Sequence, residues 1–242
     1  MSALAAEHRY AFAQSPCGGL ATGIAGAEVV LRASGALWLA AEAAVVVADL
    51  HFEKGSAYAR RGQMLPPYDT AETLGRLEAE VAALAPRLVV FLGDSFHDGA
   101  AEERLAPADV ARIAALAAGR SLVWVVGNHD EDGPARLPGD VVEGISLGGL
   151  DLIHEPTARP VRGEVAGHLH PCARVAGRGA SVRRRCFVTD GERLVLPAFG
   201  AYAGGLNILD PAFGPLLARP PLTAALGDGR VHPIGWRSLR PD

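Results

Sequence analysis

Three apolar runs of the chain each end abruptly at polar side chains of the kind that bind metal ions. The runs Ala44–Ala48, Leu88–Leu92 and Leu122–Val126 stop at Asp49-Leu50-His51, at Gly93-Asp94 and at Gly127-Asn128-His129-Asp130. Uninterrupted β-branched runs of this length are typical of strands that are buried on both faces of a parallel sheet. The pattern therefore restricts the chain to folds with a buried parallel sheet whose strands end in polar loops.

The segments between these runs have the features of helices. Thr70–Leu84 carries leucine and valine at helical spacing, and Pro107–Ala118 begins at a proline, which is favourable in the first turn of a helix. Alternation of strands and helices is typical of a parallel sheet with right-handed crossovers, in which the loops at the carboxyl ends of the strands converge. We therefore expect the three polar clusters to meet at one edge of the sheet.

After Gly133 the apolar runs become shorter and the turn signals closer, which favours a mixed or antiparallel sheet. Predicted strands cover Leu150–His154, Glu164–His168, Cys186–Thr189, Leu194–Ala198 and Leu206–Leu209. The expected architecture is an α/β fold in which two mixed sheets pack as a sandwich flanked by helices. We expect one domain over residues 1–242, with an irregular C-terminal tail from about residue 211 that contains a short pairing near Val231–Ile234.

Composition and charge narrow the range of functions that the chain could have. The formal net charge of −4 argues against a protein that holds nucleic acid by bulk electrostatics, although a local basic rim or bound cations would escape this count. Three scattered cysteines do not form a disulfide framework or a zinc motif. The sequence shows no leader and no apolar run of the roughly 18 residues that a membrane span needs, so a soluble, cytoplasmic protein without a membrane partner is expected.

Histidine placement is the strongest functional signal. Six of the eight histidines follow predicted apolar strands, and no role is assigned to the other two, His8 and His232. So many polar groups near Asp49, Asp94 and Asn128 would be costly to bury without cations. Imidazole and carboxylate together suit Mn²⁺, Fe²⁺ or Zn²⁺. The pairs Asp49/His51 and His168/His170 are two residues apart, and on extended segments each pair would project to one side.

These motifs, in this order, resemble the five motifs of the calcineurin-like metallophosphoesterases. The resemblance spans Asp49-x-His51, Gly93-Asp94, Gly127-Asn128-His129, His154 and Gly167-His168-Leu169-His170. It implies two divalent cations, the first held by Asp49, His51 and His170 and the second by Asn128, His154 and His168, with Asp94 shared by both. Two such cations would lower the pKa of a shared water, which would then attack phosphorus in line.

The resemblance also implies the groups that handle the proton. His129 would face the substrate as the general acid for the leaving alkoxide. His97 matches the second histidine of the Gly-Asp-x-x-His motif in nuclease-type relatives, which implies a role in orienting His129 or in binding phosphate. Asp98 is a competing orienting group.

A narrower resemblance is to the bacterial ligase-associated metallophosphoesterases. It rests on Ala48–Lys54, Gly93–Asp98, Gly167–Pro171 and the Leu196–Gly200 segment with Gly204-Gly205-Leu206. It implies a manganese-dependent phosphodiesterase and DNA endonuclease in DNA repair, acting on single-stranded DNA or another phosphodiester. It also implies a functional association with a DNA ligase, a helicase and an exonuclease.

Other features leave alternatives open. If DNA is the substrate, Arg60 and Arg61 are the expected contacts, whereas Arg183–Arg185 and the pair Arg159 and Arg162 are interpreted as solvated surface. A phosphodiesterase or pyrophosphohydrolase acting on small nucleotides is the second hypothesis. A catalytically idle scaffold is the third, and the complete set of metal-binding side chains argues against it.

Overall fold

The computed structural model describes residues 11–176 and 180–242, so His8 lies outside the described residues. Eight strands form the first sheet, in the spatial order β1 to β8. They are β1 (Phe12–Gln14), β2 (Leu20–Ile24), β3 (Ala27–Leu31), β4 (Leu37–Leu39), β5 (Ala44–Val47), β6 (Leu88–Leu92), β7 (Ser121–Val125) and β8 (Asp140–Val142).

The centre of this sheet is parallel, as the apolar runs predict. Strand β6 pairs in parallel with β5 on one side and with β7 on the other, and β8 adds a further parallel strand. Strands β1 to β4 extend the sheet by successive antiparallel pairings, which sequence analysis did not predict. The carboxyl ends of β5, β6 and β7 therefore lie side by side at one edge.

The second sheet is mixed and contains nine strands among the described residues. Strand β11 pairs in parallel with both β10 and β14, and the remaining pairs are antiparallel. Its strands are β9 (Gly144–Leu147), β10 (Leu150–Ile153), β11 (Glu164–Ala166), β12 (Cys172–Ala176), β13 (Ser181–Thr189), β14 (Leu194–Val195), β15 (Leu222–Gly227), β16 (Arg230–Ile234) and β17 (Leu239–Arg240).

Four helices and two 3₁₀ turns, at Pro211–Leu216 and Trp236–Ser238, complete the described structure. The helices are α1 (Lys54–Arg60), α2 (Asp69–Leu84), α3 (Ala101–Arg104) and α4 (Pro107–Leu116). No helix in the described part of the chain is both long and apolar enough to cross a membrane.

Alternating side chains of the central strands serve two cores. Val46 packs with Leu152 and Phe187 of the second sheet, whereas its neighbour Val45 packs with Leu74 of α2 and Ile113 of α4. Because successive side chains of a strand point to opposite faces, one strand fills both layers. The predicted sandwich of two mixed sheets with outer helices is confirmed.

Two predictions about the later chain are wrong. Leu206–Leu209 is not a strand; Asn207 makes only an isolated bridge with Cys172. The segment from residue 211 is not an irregular tail, because β15 and β16 form a hairpin within the second sheet and β15 pairs with β13. The expected short pairing near Val231–Ile234 is present as β16, whereas Pro220 and Pro221 obscured its partner β15, since proline usually marks the limits of strands.

A buried ion pair ties β11 to the connection that precedes β14. Arg193 and Glu164 are 1 % and 3 % exposed, and Arg193 also donates to the carbonyls of Leu216 and Thr157. Removing one charge of such a pair leaves the other buried without compensation.

We expect Glu164→Gln to lower the free energy of unfolding by about 3 kcal/mol. Urea denaturation measures this change. The matched control is Glu192→Gln, which breaks a more exposed pair with Arg162 and should cost less than about 1 kcal/mol. Equal losses of unfolding free energy in the two variants would contradict the conclusion that the buried ion pair contributes more to stability than the exposed one.

Candidate active site

The side chains that sequence analysis proposes as metal ligands all follow the carboxyl ends of strands. Asp49 follows β5, Asp94 follows β6 and Asn128 follows β7, while His154 comes after β10 and His168 and His170 come after β11. Strands from both sheets thus contribute to one edge of the sandwich. The structure brings together all the residues of this set, which are Asp49, His51, Asp94, Asn128, His154, His168 and His170.

The ligand atoms fall into two groups that share Asp94. The first contains Asp49, His51, Asp94 and His170, with ligand atoms within 4.8 Å of one another. In it, the Nε2 atom of His170 lies 3.2 Å from the Nε2 atom of His51 and 3.2 Å from Asp49 Oδ1. The two histidines of the Gly-His-Leu-His motif separate, since His168 belongs to the second group.

The second group contains Asp94, His154 and His168, with Asn128 beside them. The Nε2 atom of His154 lies 3.4 Å from Asp94 Oδ1 and 3.1 Å from Asn128 Oδ1. The Nδ1 atom of His168 lies 2.9 Å from the same amide oxygen. Asp94 therefore presents its carboxylate to both groups.

The electrostatics of the site are those of buried carboxylates among histidines. Asp49 is 0 % and Asp94 is 2 % exposed. Burial opposes ionisation of Asp94, but its contact with His154 and the charge of that histidine outweigh burial and lower the pKa of Asp94. Burial likewise lowers the pKa of His154, but Asp94 and Asp49 outweigh it and raise the pKa to about 9. Cationic charge is therefore favoured beside the two carboxylates.

The backbone at the ligands is left-handed rather than extended. Five of the seven candidate ligand residues have positive φ, between 46° and 67°, namely Asp49, His51, Asp94, His168 and His170. The expectation of period-two extended geometry for the two pairs is therefore wrong. Non-glycine residues rarely adopt this region, and such strain persists where the surroundings enforce it, most often at functional sites.

Asp130 shapes the loop that carries Asp94, a role that sequence analysis missed. Its Oδ2 atom accepts hydrogen bonds from the N–H groups of Ser95 and Phe96, at 2.7 and 3.1 Å. Its Oδ1 atom accepts from Gly127 at 2.9 Å and from Asp94 at 3.1 Å. Burial raises the pKa of Asp130 to about 6, although several of these bonds oppose the shift. The sequence signal that could have indicated this role is an aspartate in a predicted turn, where such side chains commonly accept hydrogen bonds from nearby backbone N–H groups.

His129 is held by the backbone of the neighbouring loop. Its Nδ1 atom lies 2.9 Å from the carbonyl oxygen of His97, and its Nε2 atom lies 4.0 Å from Asp94 Oδ2. The rings of His97 and His129 are stacked, with centroids 5.5 Å apart. The contact that orients His129 is thus made by the carbonyl of His97 and the face of its ring. Asp98 is instead paired with Arg104 at 2.8 Å.

The remaining candidates lie around this core. Arg60 and Arg61 are exposed at the end of α1. Within the run Arg183–Arg185, the third residue is not solvated surface, because Arg185 donates to the carbonyls of Ala198 and Ala201. Those carbonyls belong to the Leu196–Gly200 segment and its continuation, which contacts the Asp49 loop through Gly200.

The donor set fits divalent cations. Among the described residues, no lysine or arginine lies within ion-pair distance of Asp49 or Asp94; their charged partners are histidines. Buried carboxylates that have only histidines as partners are stabilised further by another source of positive charge. Imidazole nitrogens, carboxylates and an amide oxygen are ligands that borderline divalent metals accept together.

Comparison with known proteins identifies the family. The profile of the calcineurin-like phosphoesterases matches residues 44–178 of this chain. The chain belongs to this family. It is therefore a metal-dependent phosphoesterase, and the architecture described above is the calcineurin-like phosphoesterase fold.

Solved structures add a more specific likeness. The crystal structure of the Pseudomonas putida nuclease MPE is 30 % identical, with a TM-score of 0.68, over 89 % of this chain and 100 % of that chain. The phosphoesterase Yfce from E. coli is 17 % identical, with a TM-score of 0.38, over 79 % of this chain and 98 % of that chain. Comparison with curated protein sequences gives no significant match.

We expect Asp130→Asn to weaken divalent-cation binding and to lower the free energy of unfolding by about 1–3 kcal/mol, because an amide nitrogen would face backbone donors. Isothermal calorimetry and urea denaturation measure the two effects. The exposed Asp132→Asn is the matched control in the same loop and should leave both unchanged. Wild-type cation affinity in Asp130→Asn would disprove the positioning role.

Proposed function

We propose that this calcineurin-like phosphoesterase is a nuclease that cleaves phosphodiester bonds of DNA with the help of two divalent cations, Mn²⁺ being the preferred pair. The observation that carries the proposal is the convergence of the two ligand groups on Asp94. The similarity to the Pseudomonas putida nuclease, which extends over the whole of that chain, supports a nucleic acid as the substrate class. The resemblance to the ligase-associated metallophosphoesterases favours DNA.

Each ligand group would hold one cation. Asp49, His51 and His170 would bind the first and Asn128, His154 and His168 the second, while Asp94 would contact both because it belongs to both groups. Two such cations neutralise charge on the phosphate and supply a water nucleophile near neutral pH. Asn128 would complete its group without adding charge, and Asp94 offers two oxygens to separate partners.

His129 would deliver the proton that the leaving oxygen needs. The His97 carbonyl accepts from the Nδ1–H group, so Nε2 is the nitrogen that faces Asp94 and the substrate. The His129 side chain is 42 % exposed, which leaves it accessible to a bound phosphodiester. The stacked ring of His97 limits the rotation of this imidazole. His97 thus acts as a positioning residue for the general acid.

We also propose that Arg60 and Arg61 contact the DNA backbone and that the enzyme acts in DNA repair, together with a ligase, a helicase and an exonuclease. The exposure of both arginines at the end of α1, and the effect of the Arg61 charge on the pKa of His97, support the first part. The resemblance to the ligase-associated phosphoesterases supports the second. Genes for these three enzymes next to the gene of this chain would support the shared role.

A phosphodiesterase for small nucleotides is the second candidate. The net charge of −4 and the exposed Glu131 and Asp132 beside His129 disfavour strong binding of a polyanion. A substrate panel separates the two candidates. An enzyme for small nucleotides hydrolyses them and leaves DNA intact at comparable concentration.

We expect the wild-type protein with Mn²⁺ to hydrolyse bis-p-nitrophenyl phosphate and to nick single-stranded DNA. Dialysis against a chelator should abolish both activities because Asp49 and Asp94 then lack their cations. Restoration by Mn²⁺, Fe²⁺ and Zn²⁺, each added alone, ranks the metals. A protein that hydrolyses only phosphomonoesters would refute the nuclease proposal.

We expect His129→Ala to reduce kcat for single-stranded DNA by about 10²- to 10⁴-fold while the cation content stays at the wild-type value. The loss on bis-p-nitrophenyl phosphate should be much smaller, because p-nitrophenolate leaves without needing a proton. Steady-state kinetics and metal analysis of the purified variant test this. His232→Ala removes a histidine from β16 and serves as the matched control, with unchanged kcat expected. Full activity of His129→Ala would exclude its role as general acid.

A further inference from the structure

Lys54 is the only lysine in the chain, although the sequence contains 23 basic residues. Lysine and arginine differ as ligands: the ammonium is a compact point charge, whereas the guanidinium is a planar fork suited to bidentate partners. All the remaining basic residues are arginines, and the single lysine lies in the segment that follows Asp49 and His51. Its surroundings are therefore informative.

A row of rings connects Lys54 to the general acid. The Nζ atom of Lys54 lies 5.9 Å from the centre of the Tyr58 ring, and that ring lies 5.8 Å from the ring of His97. The His97 ring is in turn stacked on His129. The ammonium is thus near the reaction centre but separated from His129 by two intervening rings.

The ammonium of Lys54 is half-buried and has no carboxylate within ion-pair distance among the described residues. Burial lowers the pKa of Lys54. The positive charge of Arg185 adds to this shift, whereas the negative charge of Asp69 opposes it. Burial also lowers the pKa of His97, and the charge of Lys54 is the next largest cause. Lys54 therefore adds positive charge, only partly offset by Asp69, to the region beside His97.

A second cation, Arg185, is close enough to Lys54 for its charge to lower the pKa of that lysine, and within the described part of the chain it forms no ion pair with a carboxylate. Arg185 donates only to carbonyls, at 3.0 Å from Ala198 and Ala201 and 3.3 Å from Ala203. An excess of positive charge at one place on a protein of net charge −4 is a local feature that attracts anions.

Helix α1 holds Lys54 in place relative to His97. Arg104 donates to the hydroxyl of Ser56 at 2.9 Å and pairs with Asp98, the residue after His97. On the other side, the N–H of Gly55 donates to Asp69 at 3.0 Å. A ligand that meets Lys54 therefore finds a charge whose backbone is already fixed, so little ordering is required on binding.

We propose that Lys54 binds the phosphate of the nucleotide adjacent to the scissile phosphodiester. Tyr58, whose ring lies between the Lys54 ammonium and His97, is the positioning residue that keeps the ammonium away from the scissile phosphate. The proposal rests on the nuclease function proposed above and extends it by distinguishing a polymer, which has a neighbouring phosphate, from a lone diester. Backbone contacts of this kind are the usual source of affinity for single strands.

The test compares Lys54→Met on single-stranded DNA and on bis-p-nitrophenyl phosphate, which has one phosphate. We expect kcat/KM for DNA to fall about 10- to 100-fold, which is the usual effect of losing a hydrogen bond to a charged group. This loss should be at least tenfold larger than the loss of kcat/KM for the small diester. The magnitude of the slope of log kcat/KM for DNA against log salt should decrease by about 0.7. Lys54→Arg keeps the charge and should restore most of that slope.

Arg87→Met is the matched control for loss of one positive charge, because Arg87 is exposed at the opposite end of β6 from the site. Its kinetics should equal those of the wild type. Circular dichroism and cation content verify that Lys54→Met folds. Equal losses on both substrates would mean that Lys54 meets the scissile phosphate itself, and no loss on DNA would mean no contact; either result overturns the proposal.

A second measurement does not depend on turnover. Acetylation of the single lysine, followed by mass spectrometry of its peptide, should slow at least fivefold when a cleavage-resistant phosphorothioate oligonucleotide is bound. Unchanged acetylation overturns the proposal while leaving the nuclease function intact. A wild-type protein that does not cleave DNA refutes the nuclease function, and this inference with it.

Discussion

Asp49 and Asp94, two buried carboxylates whose ion-pair partners among the described residues are histidines alone, are the constraint around which the edge of the sandwich is built. Each also joins loops from different strands. Asp49 accepts from the N–H of His168, which links the loop after β5 to the loop after β11. Asp94 accepts from the N–H of His129 at 2.9 Å, which links the loop after β6 to the loop after β7. The same oxygens that would hold cations thus hold the loops in register.

Much of this arrangement could be predicted from the sequence because buried parallel strands have a distinct composition. Leu88–Leu92 is predicted with the bounds that the structure shows, and the polar residues after it therefore fall at the correct edge. Strands β1 to β4 and strand β15 were missed, and only the pairing near Val231–Ile234 was expected of the final hairpin, since short antiparallel strands with glycine and proline nearby give weak periodicity. Their place in the sheets depends on long-range pairing rather than on local preference.

The convergence of the proposed metal-binding side chains could be predicted from the sequence, but not the features that position them. Left-handed torsions at Asp49 and Asp94 come from packing and hydrogen bonds that no local pattern reveals. The four bonds accepted by Asp130 require the loops after β6 and β7 to be adjacent, which only the sheet order provides. A count of charges likewise could not show that Lys54 lies close enough to His97 to lower its pKa.

The left-handed backbone at the proposed ligands also means that a substitution which stabilises the fold there can remove a group that activity requires. Glycine adopts positive φ without the steric cost that an aspartate or a histidine incurs there, about 1–3 kcal/mol for each strained residue. Replacing a ligand such as His170 by glycine would relieve that strain and at the same time remove a donor of the site. Selection for thermal resistance alone would therefore erode this edge of the molecule first, and a stabilised variant obtained in that way should be screened for loss of the metal centre.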